Sequence, residues 1–434
     1  MKYKVIMEGE YLIALSESRA TKLRTFSAKE KAAIRNLYNF TAGDAKIVRD
    51  IELKGHKNLK PTNHDFKAIE YFIKDKLGVT SLKDCVEWVH FGLTSEDASN
   101  VAYALMLGES VRDAYLPAAE EVIAKIGTLA KENAGVPMLA RTHGQPASPT
   151  TFGKEFGIFE ARLRRQLAQL KNHALQAKLN GATGNYNALA TAYPRVNWIA
   201  FSKNFIARLG KMKGVRLEAN LLTTQIEPHD SYVELFDAMR RFNSILIGFN
   251  QDVWRYVSDG WIMQRAVEGE VGSSTMPHKI NPWFLENSEG NLGFANALFS
   301  FFAQKLPVSR LQRDLSDSTV LRNIGVALAH SLVGFRYLSN QLGRIAVNKE
   351  RAGADLERHP EVVTEAIQTI LRREGVAMPY EKLKALARGK QVTLKDIHQF
   401  IDALDISPKL KRELKKITPS TYLGLASKLA KLRQ

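Results

Sequence analysis

One cysteine, Cys85, in a chain of 434 residues excludes an internal disulfide and any cysteine-cluster metal site. With Val86 and Trp88 beside it, packing is its expected role. No run of about 18 apolar residues occurs, which argues against a membrane-spanning helix. The opening MKYKVIMEGEYLIAL is interrupted by charges and has no small-residue cleavage pattern, so the expected compartment is the cytoplasm. Phosphate-cradling Gly-x-x-x-x-Gly-Lys-Ser/Thr and strand-borne Gly-x-Gly-x-x-Gly are both missing, which removes the usual anchors for nucleotide hydrolysis or dinucleotide binding. His-Glu-x-x-His, helical His pairs with a carboxylate and EF-hand loops are missing too, so no catalytic metal is expected. A Ser-His-Asp hydrolase lacks its strand-to-helix elbow.

What is present is a chain that is 45% hydrophobic, enough for a sizeable core. Its formal net charge is +17. That excess fits nucleic acid, an acidic surface or an anionic small substrate equally well. Much of it lies in the C-terminal part, as in Lys409-Leu-Lys-Arg-Glu-Leu-Lys-Lys416, on helical periods without interleaved aromatics. A solvated helix face is the plain reading there. Nucleic acid is therefore not expected as the partner.

Apolar residues recur at Tyr232, Leu235, Phe236, Met239, Phe242, Leu246, Phe249, Val253 and Tyr256, the stripe of one long helix over 231–257. Comparable stretches run over 98–132, 150–178, 283–304 and 319–342, with few breakers and little strand-like alternation. Five such helices predict a mainly α fold built on an elongated bundle. The expected division is an N-terminal helical region 1–84, a central long-helix part 85–343 with a polar loop at 269–282, and a C-terminal helical region 344–434.

The unusual residue types gather in the punctuation between helices: Thr62-Asn-His-Asp-Phe-Lys67, His90-Phe-Gly-Leu-Thr-Ser-Glu-Asp97, Arg141-Thr-His-Gly-Gln-Pro146, Thr223-Thr-Gln-Ile-Glu-Pro-His-Asp230, and the 269–282 loop. These hold five of the ten histidines, all expected at or near helix ends, where unpaired N–H groups suit anions. Acid–base chemistry on an anion is what remains. His143 is a candidate proton donor, while Lys279 and Asn281 could stabilise a developing carboxylate charge. A serine acting as base would need nearby cations and aligned amide dipoles. Taken singly, His143 reads as well as a hydrogen-bonded structural histidine, Lys279 as a solvated surface group, Met276 as a packing anchor, and His64, His90 and His229 as helix-end caps.

Taken together, Gly272-Ser-Ser-Thr-Met-Pro-His-Lys-Ile-Asn281 resembles the signature loop of the fumarase/aspartase superfamily. Within it, Thr62-Asn-His-Asp65, Thr94-Ser-Glu-Asp97, Arg141 to Pro146, Gly184-Asn-Tyr-Asn187, Thr223 to Asp230 and Lys305 to Asn323 are similar to the bacterial-type adenylosuccinate lyase family. Pro379 to Lys384 extends the likeness. The resemblance implies a three-domain fold whose central helices form a shared homotetramer core with active sites built from three subunits. It implies C–N cleavage releasing fumarate from adenylosuccinate and from the succinylated aminoimidazole carboxamide ribotide, with no metal or cofactor. By the same resemblance Ser273 is the base, His143 the acid and Glu286 the group orienting it. Lys279 and Asn281 hold the reacting carboxylate, with Thr94 and Ser95 at the succinyl end. Asn63, His64, Asp65, Gln225, Asn287, Arg313, Ser318, Thr319, Val320, Leu321 and Arg322 match nucleotide-contacting positions, His64 also being counted among the catalytic group. Arg313 and Arg322 suit a phosphate.

One departure stands out. Relatives of this type carry an Asp-Gly-Arg-Tyr motif upstream of where this sequence starts, and no Gly-Arg-Tyr occurs here, so weaker nucleotide binding is expected. The competing readings are a sister lyase acting on argininosuccinate, aspartate or malate, and a non-catalytic relative serving as a scaffold.

Overall fold

The computed structural model describes residues 1–57, 59–266, 269, 272, 274–389 and 392–432. The chain forms two compact units, each assembled from separate stretches: Met1–Pro117, Gln169–Arg240 and Asn296–Leu328 in the first, and Ala118–Ala168, Arg241–Ala295 and Ala329–Gln434 in the second. Both are dominated by helices, as the periodicity predicts.

The first unit holds helices Lys2–Ser18, Ala28–Asn36, Ala42–Leu53, Asp65–Gly78, Ser95–Ser110 and Trp198–Lys213 and a short parallel pair, on which Ser95–Ser110 and Trp198–Lys213 pack. That pair is β3 (Leu175–Ala177) against β4 (Leu217–Ala219), in register from Leu175 opposite Leu217. Helix starts follow local chemistry. Ser27 caps Ala28–Asn36 by accepting from the Glu30 N–H at 3.2 Å, and the Glu30 carboxylate returns the bond to the Ser27 N–H at 2.9 Å. Gly214, at φ 63°, ends Trp198–Lys213 in the left-handed conformation that glycine adopts without Cβ strain. Tyr11 sits at the core's centre, edge-on to Phe201 and Phe205 with centroids 5.9 and 5.8 Å away.

The second unit contains two antiparallel pairs, β1 (Pro137–Thr142) with β2 (Gln145–Thr151), and β5 (Ile262–Gln264) with β6 (Ile345–Val347). Its core joins Phe152, Phe156, Phe249, Tyr256 and Trp261, with Phe242 against Phe335 at 5.4 Å.

Helix Asp230–Ser258 carries the expected stripe, and Tyr232, Leu235, Phe236, Met239, Phe242, Leu246, Phe249 and Val253 are all buried. Three expectations need correction. The 98–132 helix starts at Ser95 and contains a π-turn, Val111–Tyr115, before Leu116–Glu132. The 150–178 helix is shorter, Phe152–Asn172, because Thr150 and Thr151 finish β2 and Leu175 opens β3. The 319–342 segment is two helices, Ser316–Leu321 and Ile324–Leu342, interrupted where the Asn323 N–H turns back to the Val320 carbonyl at 2.9 Å.

Phe249 packs on Phe159 at 5.2 Å and Phe156 at 6.0 Å with no exposed surface. Phe249→Ala should therefore lower unfolding free energy by about 3–5 kcal/mol, the range for a buried aromatic truncated to a cavity. Urea titration of both proteins measures it; a loss below about 1 kcal/mol would contradict a core role for this stripe.

Candidate active site

The residues expected at the site fall into both units. In the first, His64 is the N-cap of helix Asp65–Gly78, its Nδ1 accepting the Lys67 N–H at 3.2 Å. The preceding Asn63 is held at φ 48°, its amide donating to the Glu52 carbonyl at 2.9 Å. Asp65 pairs with Lys4 at 2.7 Å. Burial acts to raise the Asp65 pKa, but the Lys4 ammonium prevails and holds this carboxyl below the usual range. A cleft of about 180 Å³ opens beside this pair, lined by Met1, Tyr3, Lys4, Asp65 and Tyr103 among others.

Thr94 and Ser95 begin helix Ser95–Ser110, the Thr94 N–H donating to Asp97 Oδ2 at 2.9 Å. Asp97 is fully buried and so is its partner Lys178, 2.9 Å away. The Lys178 ammonium also donates to the Gly181 and Gln225 carbonyls at 2.9 and 2.8 Å, so all three of its N–H bonds are satisfied. Asp97 in turn accepts the Asn180 and Gly181 amides. Gln225 is pinned further, its side chain donating to the Ala182 carbonyl at 3.0 Å and its amide to the Gln312 carbonyl at 3.2 Å.

Next along the chain, Arg313 Nη1 donates to Glu96 Oε2 at 3.0 Å. Ser318 and Thr319 stand on the short helix Ser316–Leu321, and Arg322 follows it, exposed. Val320 and Leu321 are buried, so only their backbone could meet a ligand. His229, at φ 64°, caps nothing with its ring: its amide donates to Glu227 Oε2 at 2.7 Å, while the buried ring lies edge-on to Tyr232. His90 is tied to buried Glu8, Nδ1 to Oε1 at 2.7 Å.

In the second unit His143 is at the tip of the β1–β2 hairpin, not at a helix end. Thr142 pairs with Gln145, leaving His143 and Gly144 as a two-residue turn with φ 51° and 75°. Positive φ at both central positions is the turn whose twist matches the strands, and it presents the imidazole to solvent. Ser273 lies outside the described residues. Among the described residues of its loop, Asn281 Nδ2 donates to the Gly272 carbonyl at 2.7 Å, and a Cβ on Gly272 would come within 1.8 Å of the Lys279 carbonyl oxygen. Only glycine fits there. Gln341 holds Gln264, which in turn donates to the Ile280 carbonyl, both at 3.0 Å. Lys279 is exposed, and Met276, expected to pack, is exposed as well. Glu286 accepts from the Trp254 indole N–H at 3.0 Å, and Asn287 bonds back to the Trp283 carbonyl of its own helix.

Residues 2–295 match the family model described as "Lyase", and residues 309–423 the one described as "Adenylosuccinate lyase C-terminal". Curated adenylosuccinate lyases from Haemophilus influenzae and Escherichia coli K12 are 45% and 43% identical to it, over 99% and 98% of this chain and 92% and 91% of theirs. The chain belongs to the adenylosuccinate lyase family. The enzyme of that name from Dictyostelium discoideum is 44% identical over 98% of this chain and 91% of its own. At the level of fold alone, the chain is similar to fumarate lyase from Mesorhizobium sp. BNC1 (TM-score 0.75, 16% identity, 99% and 93% covered). It is likewise similar to 3-carboxy-cis,cis-muconate lactonizing enzyme from Pseudomonas putida (TM-score 0.70, 19% identity, 99% and 92% covered).

Sequence reasoning on this lyase missed its buried polar groups. Lys178 has no motif around it, and Glu96, Asp97 and Asp317 stood inside quoted motifs without a role. Glu227 is another: burial pushes its carboxyl up to about 7, against bonds from Asn220 and the His229 amide. Two outcomes are expected. Lys178→Met should cost about 3–5 kcal/mol of stability by stranding the Asp97 charge, measured by urea unfolding; a neutral result would remove the pair from its structural role. Glu227 keeps its proton in the folded state to a higher pH than in the unfolded chain, so it contributes stability below about pH 4.5 that is lost as pH rises through about 7. Glu227→Gln should therefore gain on wild type by about 3 kcal/mol between pH 4.5 and 7.5. An offset constant with pH would contradict the raised value.

Proposed function

We propose that this lyase cleaves adenylosuccinate to AMP and fumarate, and the succinylated aminoimidazole carboxamide ribotide to its carboxamide and fumarate. The observation that carries this is identity near 45% along almost the whole chain with enzymes named for that activity, together with intact Ser273, His143 and Lys279. In the reaction Ser273, as alkoxide, removes the Cβ proton, and the electron pair moves into the adjacent carboxylate as an aci-form. Lys279 and Asn281 stabilise that charge. The Cα–N bond then breaks as His143 protonates the departing nitrogen, and Glu286 keeps the imidazole oriented. The phosphate is taken by Arg313 and Arg322, with Asn63, His64, Asp65, Gln225, Asn287 and Ser318 on the nucleotide and the 319–321 backbone beside it. Thr94 and Ser95 receive the succinyl end, where the start of helix Ser95–Ser110 adds N–H donors for a carboxylate.

The proposal includes a cytoplasmic homotetramer with sites shared between copies. Two features support assembly. Phe294 and Phe301, seven residues apart on helix Trp283–Lys305, are exposed, as are Val326 and Val333 with the same spacing on Ile324–Leu342. Such a repeat makes an apolar stripe on each helix that another helix can cover. The three-part division at 84 and 343 belongs to the same proposal.

The test is fumarate release from each substrate, with Ser273→Ala and His143→Gln as variants. Each should lose about 10²–10⁴-fold in kcat, the usual contribution of a positioned acid or base, while retaining substrate binding. Near-normal turnover in the serine variant would move the base elsewhere, to Ser274 first. No turnover by the wild-type protein would leave the scaffold reading.

A further inference from the structure

Beneath Arg313 lies a set of buried side chains that the proposed chemistry does not use. Glu96 is 5% exposed, His229 1% and Asp317 4%, and one polar atom of each lies within 4.8 Å of the other two. Among the described residues, Glu96 Oε1, Asp317 Oδ1 and both ring nitrogens of His229 have no hydrogen-bond partner. Toward the surface, Glu96 Oε2 accepts a hydrogen bond from Arg313 Nη1 at 3.0 Å. Among the described residues it is also the only hydrogen bond made by that guanidinium, whose side chain is 25% exposed.

This arrangement aims the arginine. A guanidinium is a rigid plane with five N–H donors, so fixing one nitrogen sets the direction of the others. Glu96 is suited to do the fixing. It stands in the first turn of helix Ser95–Ser110, where the helix dipole favours a carboxylate. Burial, with Asp317 adding to it, pushes the Glu96 carboxyl up against the pull of Arg313, while His229, pushed down to about 4 by burial and by Arg313, is neutral and offers no rival cation. Arg313 in direct contact also makes the triangle a poor place for a metal ion, which would have to share Glu96 with a guanidinium.

We propose that Glu96, with Asp317 and His229 as its buried floor, is a positioning residue that holds Arg313 for the phosphate of the nucleotide. The inference rests on the reading of Arg313 as a phosphate contact.

Product inhibition separates this from a general structural role, because AMP carries the phosphate and fumarate does not. In Glu96→Gln, which keeps the shape and removes the charge, the adenylosuccinate KM and the AMP inhibition constant should each rise about tenfold, the size of one weakened charge-assisted bond. kcat and the fumarate inhibition constant should stay within about twofold. Added to Arg313→Met, the same change should have no further effect, since both act on one contact. Glu96→Asp, which retains the charge but withdraws it by one methylene, should show the same selective loss and serves if the glutamine variant fails to fold. Parallel weakening of AMP and fumarate, or independent effects in the double variant, would overturn the proposal. Wild-type protein that neither turns over adenylosuccinate nor binds AMP would instead sink the functional reading, whereas an active wild type indistinguishable from Glu96→Gln sinks Glu96 alone.

Discussion

The first unit is organised around one buried ion pair, Lys178 with Asp97. Removing an ammonium and a carboxylate from water is expensive, and the loss is offset only when every donor and lone pair finds a partner. Here they do. Lys178 spends its three N–H bonds on Asp97 and the Gly181 and Gln225 carbonyls, while Asp97 gathers amides from Thr94, Asn180 and Gly181. Asn100 seals the same junction, accepting the Lys178 amide at 2.9 Å and donating to its carbonyl at 3.1 Å. Three stretches far apart in sequence, near 97, 180 and 225, are thus fixed by two charges. Because Gln225 reaches on to Gln312, the lock extends to the strand of chain that carries Arg313.

That rigidity contrasts with how the proposed acid and the loop lysine are presented. His143 rides on a hairpin tip and Lys279 on a loop held by Asn281, Gln264 and the close approach of Gly272 to the Lys279 carbonyl. A two-residue turn fixes a backbone direction while leaving its side chain in solvent, and a glycine-closed loop fixes a shape without burying its cargo. Gln225 and Arg313, proposed recognition groups in the first unit, are already held by hydrogen bonds, whereas His143 and Lys279, proposed chemical groups in the second, are exposed.

Much of the helical framework was legible in the sequence because burial on one face leaves a three-and-four period, as the Tyr232 to Val253 stripe shows. The hairpin was not. Its second strand, Gln145-Pro-Ala-Ser-Pro-Thr-Thr151, has neither alternation nor β-branched residues until its end, and a His-Gly turn is a weaker signal than Asn-Gly. The break at Asn323 was hidden for a similar reason, since Arg322 and Asn323 are unremarkable inside a helix and only the turn back to Val320 ends it. Motif likeness named residues for the candidate site, most of them on exposed or half-exposed positions. It could not show Lys178 buried, because a lysine's environment is decided by which carbonyls the fold brings to it, and those come from residues 181 and 225.

The buried acids also bear on how the net charge of +17 is used. A cationic field draws in a phosphorylated dicarboxylate from any direction, which raises encounter rate but orients nothing. Orientation needs a cation whose donors are already spent on one side. Exposed arginines elsewhere in the chain, such as Arg255 with Asp259 or Arg310 with Asp314, meet carboxylates at the surface, where water competes and the pair holds little. Arg313 differs from these two pairs because its carboxylate is buried, as Glu10 is beside Arg35, and is backed by Asp317. Water cannot readily replace Glu96 there, so the guanidinium keeps its direction when the site is empty. Such pre-organisation lowers the ordering entropy that a ligand must supply on binding. Its cost is borne in the folded state, as the unpartnered atoms of Glu96, His229 and Asp317.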